Sequence, residues 1–280
     1  GYCDGNNVGI KQATGEFVVI LNPDTIVEPN WLTDLVSAYK KHGEGLYQPK
    51  IISLYEENIL QSTGNMIHIF GFGFARDKGI PDSSQKKEVE QIGYASGTCL
   101  FTSQSVLKKV GLFDPFLFLY HDDLDLGWRA AQLGIKSYYV PLSVIYHAES
   151  YSLKWSSKKF YWLERNRKYC LMTHYSKDTY KKIRPYLLQV ELMIWLFYLS
   201  KGFLGTKIKA DFEIRRNKEQ IRRRYQELES KKIVSDSELI RGYPDVMFIP
   251  KNLSGTLGGR IFNSLLSKLS RKAKKKILFV

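Results

Sequence analysis

Asn22-Pro23-Asp24 closes an unbroken apolar run, Phe17-Val18-Val19-Ile20-Leu21, that reads as a strand buried on both faces of a parallel sheet. Ligands of open α/β sheets gather at the carboxyl ends of strands, so a carboxylate there faces a cleft. Asn-Pro and Asp are also ordinary turn residues, and these three residues alone leave turn and site open. Tyr120-His121-Asp122-Asp123-Leu124-Asp125-Leu126 crowds three carboxylates at the start of a predicted helix. One or two acids are favourable there through capping and the helix dipole, but three repel one another. The excess points to a cation, a proton-transfer role or a basic partner, and Arg129 could neutralise only part of it. His147 ends the apolar segment Val144-Ile145-Tyr146. A single His at a strand end is either a satisfied polar residue or a ligand for a divalent ion.

The elements that must position these groups follow from periodicity. Residues 32, 35, 36 and 39 recur at helical spacing after Pro29-Asn30, and Gly43 stops them. Residues 50–54 and 93–102 read as strands, 104–110 as a short helix, 123–134 as a helix, and 137–140 and 144–147 as two strands. Residues 66–87, rich in Gly and polar side chains, read as a mobile loop able to cover a substrate. Beyond residue 157 the pattern turns helical, at 161–174, 185–201, 208–230 and 259–276. The expected organisation is a catalytic domain over 1–157 and a basic, mainly helical region over 158–280.

A chain of 280 residues with 44% hydrophobic and 14% aromatic residues can bury a substantial core plus an appendage. Cys3, Cys99 and Cys170 are odd in number and share no paired spacing, which argues against a disulfide framework or a zinc site and fits a reducing cytoplasm. No secretory signal opens the chain, whose first residue is Gly1. The net charge of +14 is uneven: residues 201–280 hold 20 Lys+Arg against 8 Asp+Glu, and residues 1–200 hold 22 against 20. Nucleic acid, anionic lipid and anionic substrates are all compatible with such a tail.

Taken together these sites resemble glycosyltransferase family 2, in its bacterial rhamnosyltransferase-like branch. The motifs that carry the resemblance run in order: Gly5-Asn6-Asn7-Val8-Gly9-Ile10, Ala13-Thr14-Gly15-Glu16, Leu21-Asn22-Pro23-Asp24-Thr25, Ala95-Ser96-Gly97, Val110-Gly111-Leu112-Phe113-Asp114, Asp122 to Arg129, and His147 with Ser152. The resemblance implies a GT-A-like (Rossmann-like) α/β fold, a mixed sheet flanked by helices, with a helical C-terminal extension. It also implies an earlier nucleotide-binding segment, so the chain reads as truncated at its N-terminus. By the same resemblance Asn22, Asp24 and Asn7 bind the donor, and Asp24 and His147 hold a Mn2+ or Mg2+ ion. Asp123 is the catalytic base with Asp122 beside it, and Ser96, Gly97, Asp125 and Arg129 lie on the acceptor side, Asp125 also supporting the loop and Arg129.

The chemistry makes sense of these residue types. A hard divalent cation stabilises a departing nucleoside diphosphate, and a carboxylate takes the proton of the attacking hydroxyl. One base without a second carboxylate nucleophile implies a single displacement with inversion. The expected partners are a nucleotide-sugar donor, such as dTDP-rhamnose or a UDP-sugar, and a saccharide or lipid-linked acceptor of cell-surface polysaccharide synthesis. Residues 192–200 are too short an apolar run to span a bilayer. In residues 259–276 an apolar stripe of Ile261, Phe262, Leu265, Leu266 and Leu269 beside Lys268, Arg271, Lys272 and Lys274 to Lys276 has the pattern of a helix on an anionic membrane. That places the protein in the cytoplasm, peripheral on the inner face of the plasma membrane. The rivals are a catalytically silent scaffold of the same fold and a nucleic-acid binder using residues 215–224, which leaves the acids and His147 unexplained.

Overall fold

The structure, a computed structural model, describes residues 1–83, 87–149, 156–247 and 257–279. The chain divides into two units, one of Gly1–Ile67 with Gly73–Ser150, the other of His68–Phe72 with Tyr151–Val280. Ser152 and residues 84–86 of the predicted loop lie outside the described residues.

The first unit is a mixed seven-stranded sheet with helices packed on it. Its central path runs β1 (Phe17–Leu21), β8 (Cys99–Ser103), β3 (Gly45–Ser53), β9 (Lys136–His147) and β2 (Thr25–Val27). On this path only β3 and β9 are parallel. Two short strands, β4 (Leu60–Ser62) and β7 (Glu90–Ile92), join β3 and β9 antiparallel. All nine residues of β3 are buried, as a central strand requires.

Several sequence expectations change in register or extent. β1 forms where the β-branched run predicts it but pairs antiparallel with β8, and only Val18 and Ile20 are fully buried. Phe17 and Val19 are half-covered, packed on a cluster of Leu35, Ala38, Tyr47, Phe101 and Val140 beneath helix α2 (Trp31–His42). Residues 93–98 are irregular ahead of β8, and a Cβ on Gly93 would meet the backbone of Asn65, Met66 and Ile67 at 2.9–3.0 Å. The two strands expected over 137–147 are one, β9, in which the pairing with β3 jumps from Pro49–Val140 to Lys50–Val144. Residues 141–143 bulge out there, and Ser143 Oγ donates to the Trp31 carbonyl.

The expected mobile loop is instead structured where it is described. β5 (Asn65–Ile67) and β6 (Gly73–Ala75) form a hairpin, and Ile69 and Phe70 at its tip are fully buried. Its Gly and polar residues serve close packing: a Cβ on Gly73 would meet the Tyr94 hydroxyl at 2.5 Å. Three helices complete the unit: α1 (Tyr2–Gln12), which the periodicity did not reveal, α3 (Gln104–Val110) and α4 (Asp122–Gln132).

The second unit is helical: α5 (Ser157–His174), α6 (Lys177–Ser200), α7 (Leu204–Arg216), α8 (Lys218–Lys231), α9 (Asp236–Arg241) and α10 (Leu257–Leu278). The single helix expected over 208–230 breaks at Asn217, whose side-chain amide donates to the Glu213 carbonyl. Glu164, Glu191 and Asp211 converge, and Arg167, Lys168 and Lys207 match them charge for charge. Burial opposes ionisation of Glu164 and Glu191, yet these cations hold both carboxyls below their ordinary range. No described helix is long and apolar enough to cross a membrane.

The C-terminal stripe is corrected by the same packing. Leu266 and Leu269 are buried, with Ala273 and Ile277 continuing the row, and Phe262 meets Phe72 edge-on. Only Ile261 and Leu265 of the five expected membrane-facing residues remain largely exposed. A helix face reads the same in sequence whether protein or lipid covers it.

Candidate active site

Strand pairing creates the first half of the site. Thr25 of β2 pairs with His147 of β9, and the Ala148 amide donates to the Asp24 carbonyl at 2.9 Å. Asp24, just past the Asn22-Pro23 turn, therefore stands beside His147, with 3.3 Å between Oδ1 and Nε2. The turn is fixed by its own bonds: Thr25 Oγ1 donates to the Asn22 carbonyl, and the Asn22 amide donates to the Thr98 carbonyl.

Gln61, which no motif or periodicity singles out, determines what His147 can do. Between β3 and β4 the register passes from Ile51–Ser62 to Ile52–Leu60, leaving Gln61 as the extra residue of a bulge. Its Nε2 donates to the His147 carbonyl at 2.8 Å, so its Oε1 faces His147 Nδ1 at 2.7 Å. Nδ1 must then carry the ring proton, and the Nε2 lone pair faces Asp24. Burial lowers the imidazole pKa, opposed by Asp24 and Glu149, so a second proton is disfavoured. Two lone-pair atoms held face to face fit a shared cation, and an imidazole with a carboxylate oxygen is a donor set that Mn2+ or Mg2+ accepts. Gln61, Ser96, Thr98, His147, Lys78 and Glu149 are among the residues lining a cavity of about 120 Å³.

Ser96 links this half to the second. The Gly97 amide donates to Asp123 Oδ2 at 3.0 Å, and Tyr2 donates its hydroxyl proton to the Gly97 carbonyl at 2.6 Å. A Cβ on Gly97 would lie 2.7 Å from that hydroxyl, so any side chain there would displace the Tyr2 ring. Tyr2, a residue without any motif signal, thus seals the acid-bearing end of α4. The preceding loop holds Phe118, Tyr120 and His121 at φ of 62°, 66° and 61°. Left-handed backbone at non-glycine residues is a strain of order 1–3 kcal/mol each, of the kind that clusters at functional sites.

The acids Asp122 and Asp123 differ in surroundings. Asp123 accepts from the Gly97 and Leu124 amides, which favours its ionised form against the burial that raises its pKa. Asp122 is raised as well, by burial and then by the neighbouring Asp123 and Asp125 charges, and its Oδ2 is buried without a hydrogen-bond partner among the described residues. Burial thus disfavours ionisation of both carboxyls at once, and the two amides donated to Asp123 favour its charged form.

Residues 3–170 match the family described as Glycosyltransferase like family 2. The chain belongs to that family. It is 24% identical over 141 residues to the low-salt glycan biosynthesis hexosyltransferase of Haloferax volcanii, covering 48% of this chain and 44% of that protein. It is 25% identical over 181 residues to the rhamnosyltransferase WbbL of Escherichia coli, covering 58% of this chain and 66% of that one. The chain thus spans less than half of the first relative's length. Among solved structures, GalNAc-T7 with UDP, GalNAc and Mn2+ superposes with a TM-score of 0.52 at 17% identity, over 67% of this chain and 37% of that chain. That likeness establishes a shared GT-A-type fold.

In this family 2 chain, three motif residues sit elsewhere than the resemblance implied. Asn7, expected on the donor, is buried and spends its amide on one residue: Nδ2 donates to the Phe113 carbonyl and Oδ1 accepts the Phe113 amide. A carboxamide reproduces a backbone pairing partner, so Asn7 clamps α1 to the 110–114 motif. Asp125 and Arg129, expected on the acceptor side, are 0% and 3% exposed, while the expected support of Arg129 by Asp125 is present. Arg129 donates to Asp125 Oδ2 and to the carbonyls of Val110 and Leu112, joining α4 to the same motif. These residues lie beneath the site and hold its acids in place.

Proposed function

We propose that this chain transfers a sugar from a nucleoside diphosphate to an acceptor hydroxyl with inversion, residues 1–157 forming its catalytic part. The observation that carries the reading is the split between two sites joined by residues 96–98: a carboxylate–imidazole pair suited to a cation, and a buried pair of carboxyl groups. A Mn2+ or Mg2+ ion between Asp24 and His147 would supply positive charge to the diphosphate as it leaves. Asn22 presents the turn that carries Asp24. Asp123 accepts the hydroxyl proton of the acceptor, and Ser96 and Gly97 form the wall on which that acceptor rests. The name of WbbL favours a deoxyhexose donor such as dTDP-rhamnose, with a UDP-sugar as the other class. The acceptor is a saccharide or a lipid-linked saccharide of cell-surface polysaccharide synthesis, met at the cytoplasmic face of an anionic membrane.

Release of nucleoside diphosphate tests this reading. A panel of nucleotide sugars offered with Mn2+ or Mg2+ and saccharide acceptors should yield one donor turned over in a chelator-sensitive way. Donor binding without any transfer or hydrolysis would favour the silent scaffold. The nucleic-acid reading loses support from α8, where Arg222 pairs with Glu219 and Arg224 with Glu227.

A further inference from the structure

Among the described residues of the helical unit, the longest row of exposed apolar side chains lies on α6. Leu188, Leu192, Leu196 and Leu199 of α6 are 60%, 61%, 57% and 57% exposed. At about 100° per residue these four fall within an arc of about 80°. The opposite face, Ile183, Leu187, Val190, Ile194 and Tyr198, is buried. A helix apolar on both sides needs a second apolar environment. On α7, Ile208 and Phe212 are 52% and 63% exposed and one turn apart.

Charge decides the kind of environment. Residues 151–280 hold 30 Lys+Arg against 11 Asp+Glu, an excess of 19, whereas residues 1–150 hold 12 against 17. The basicity is thus a property of the whole helical unit. Part of it is placed with Leu188: Arg184 and Leu188 of α6 and Arg215 of α7 line one cleft of about 210 Å³, whose acids Glu191 and Asp211 are already paired with Arg167, Lys168 and Lys207. Apolar side chains in a row, with arginines at one end, are the arrangement that seats a helix at the acyl boundary while guanidinium groups meet phosphates.

We propose that α6 and α7 form the surface that docks this protein on an anionic lipid bilayer, through Leu188, Leu192, Leu196 and Leu199 with Arg184 and Arg215 at the headgroups. This rests on the peripheral placement proposed above and moves the anchor from α10 to α6. The helices lie in the plane of the interface, and the apolar row supplies a salt-resistant part of the attachment.

Flotation of the full chain with phosphatidylglycerol-containing and pure phosphatidylcholine vesicles tests it. The wild type should float with the anionic vesicles. Leu188→Gln, Leu192→Gln, Leu196→Gln and Leu199→Gln combined should lower partitioning about tenfold or more at unchanged helical circular dichroism, since the side chains replaced are exposed. Arg184→Glu with Arg215→Glu should remove the salt-sensitive part. Neutralising Lys272, Lys275 and Lys276 on α10 should have a smaller effect than the leucine variant. Equal flotation of wild type and leucine variant, or a loss confined to the α10 variant, would overturn the surface assignment while keeping membrane attachment. Absence of wild-type flotation would sink both, and a concentration-dependent dimer abolished by the leucine variant would make a second copy the occupant instead.

Discussion

Gln61 grips His147 twice, donating to its carbonyl at 2.8 Å and facing its ring Nδ1 at 2.7 Å, so that Nε2 is presented to Asp24. Partners of this kind fix tautomer and ring orientation, and their loss costs roughly 10–100-fold in metal affinity. Gln61→Leu should therefore weaken Mn2+ binding by about that factor, read by calorimetric titration of the metal alone. Gln61→Glu, which keeps an acceptor for Nδ1, should lose less. Wild-type affinity in Gln61→Leu would show that the ring needs no such hold.

Asp24→Ala and His147→Ala should each reduce metal-dependent binding of a nucleoside diphosphate, and the double variant should fall short of the sum because both act through one ion. Full additivity would place them on separate sites. Donor affinity indifferent to chelator would remove the cation from the reading altogether.

Asp123→Asn should slow transfer by roughly 10²–10⁴-fold with donor binding nearly unchanged, because an amide cannot accept the hydroxyl proton. The pH profile supplies an independent check. Burial raises the Asp123 pKa, so its basic form is present above that raised value and is lost as pH falls through it. The acid limb of kcat/KM in the wild type should accordingly lie above the ordinary carboxylate range of about 4. A limb at that ordinary value would point to an exposed carboxylate as the base.

Arg129→Met separates support from acceptor contact. It leaves Asp125 buried without its cation, and breaking such a buried pair costs roughly 3–5 kcal/mol. Denaturant unfolding of the full chain should show that loss. A variant with wild-type stability and a raised acceptor KM would return Arg129 to the acceptor wall.

Much of the catalytic unit is legible in the chain itself. The apolar run before Asn22-Pro23-Asp24 marks β1, helical spacing with a terminal Gly43 marks α2, and crowded acids mark the start of α4, because these are local patterns of burial and capping. The tertiary structure decided which of the marked residues meet. Asp24 reaches His147 only through the β2–β9 register, and Gln61 reaches it only because a bulge re-aims its side chain. Neither register nor bulge leaves a periodic trace in sequence. Asn7 and Arg129 show the converse: their types suit ligand binding, but distant backbone groups of Phe113, Val110 and Leu112 consume their hydrogen bonds. The same holds for the apolar helix faces. Periodicity shows that α6 and α10 each have one, and only packing reveals that Leu266 of α10 is covered by the protein while Leu192 of α6 is left to solvent or lipid.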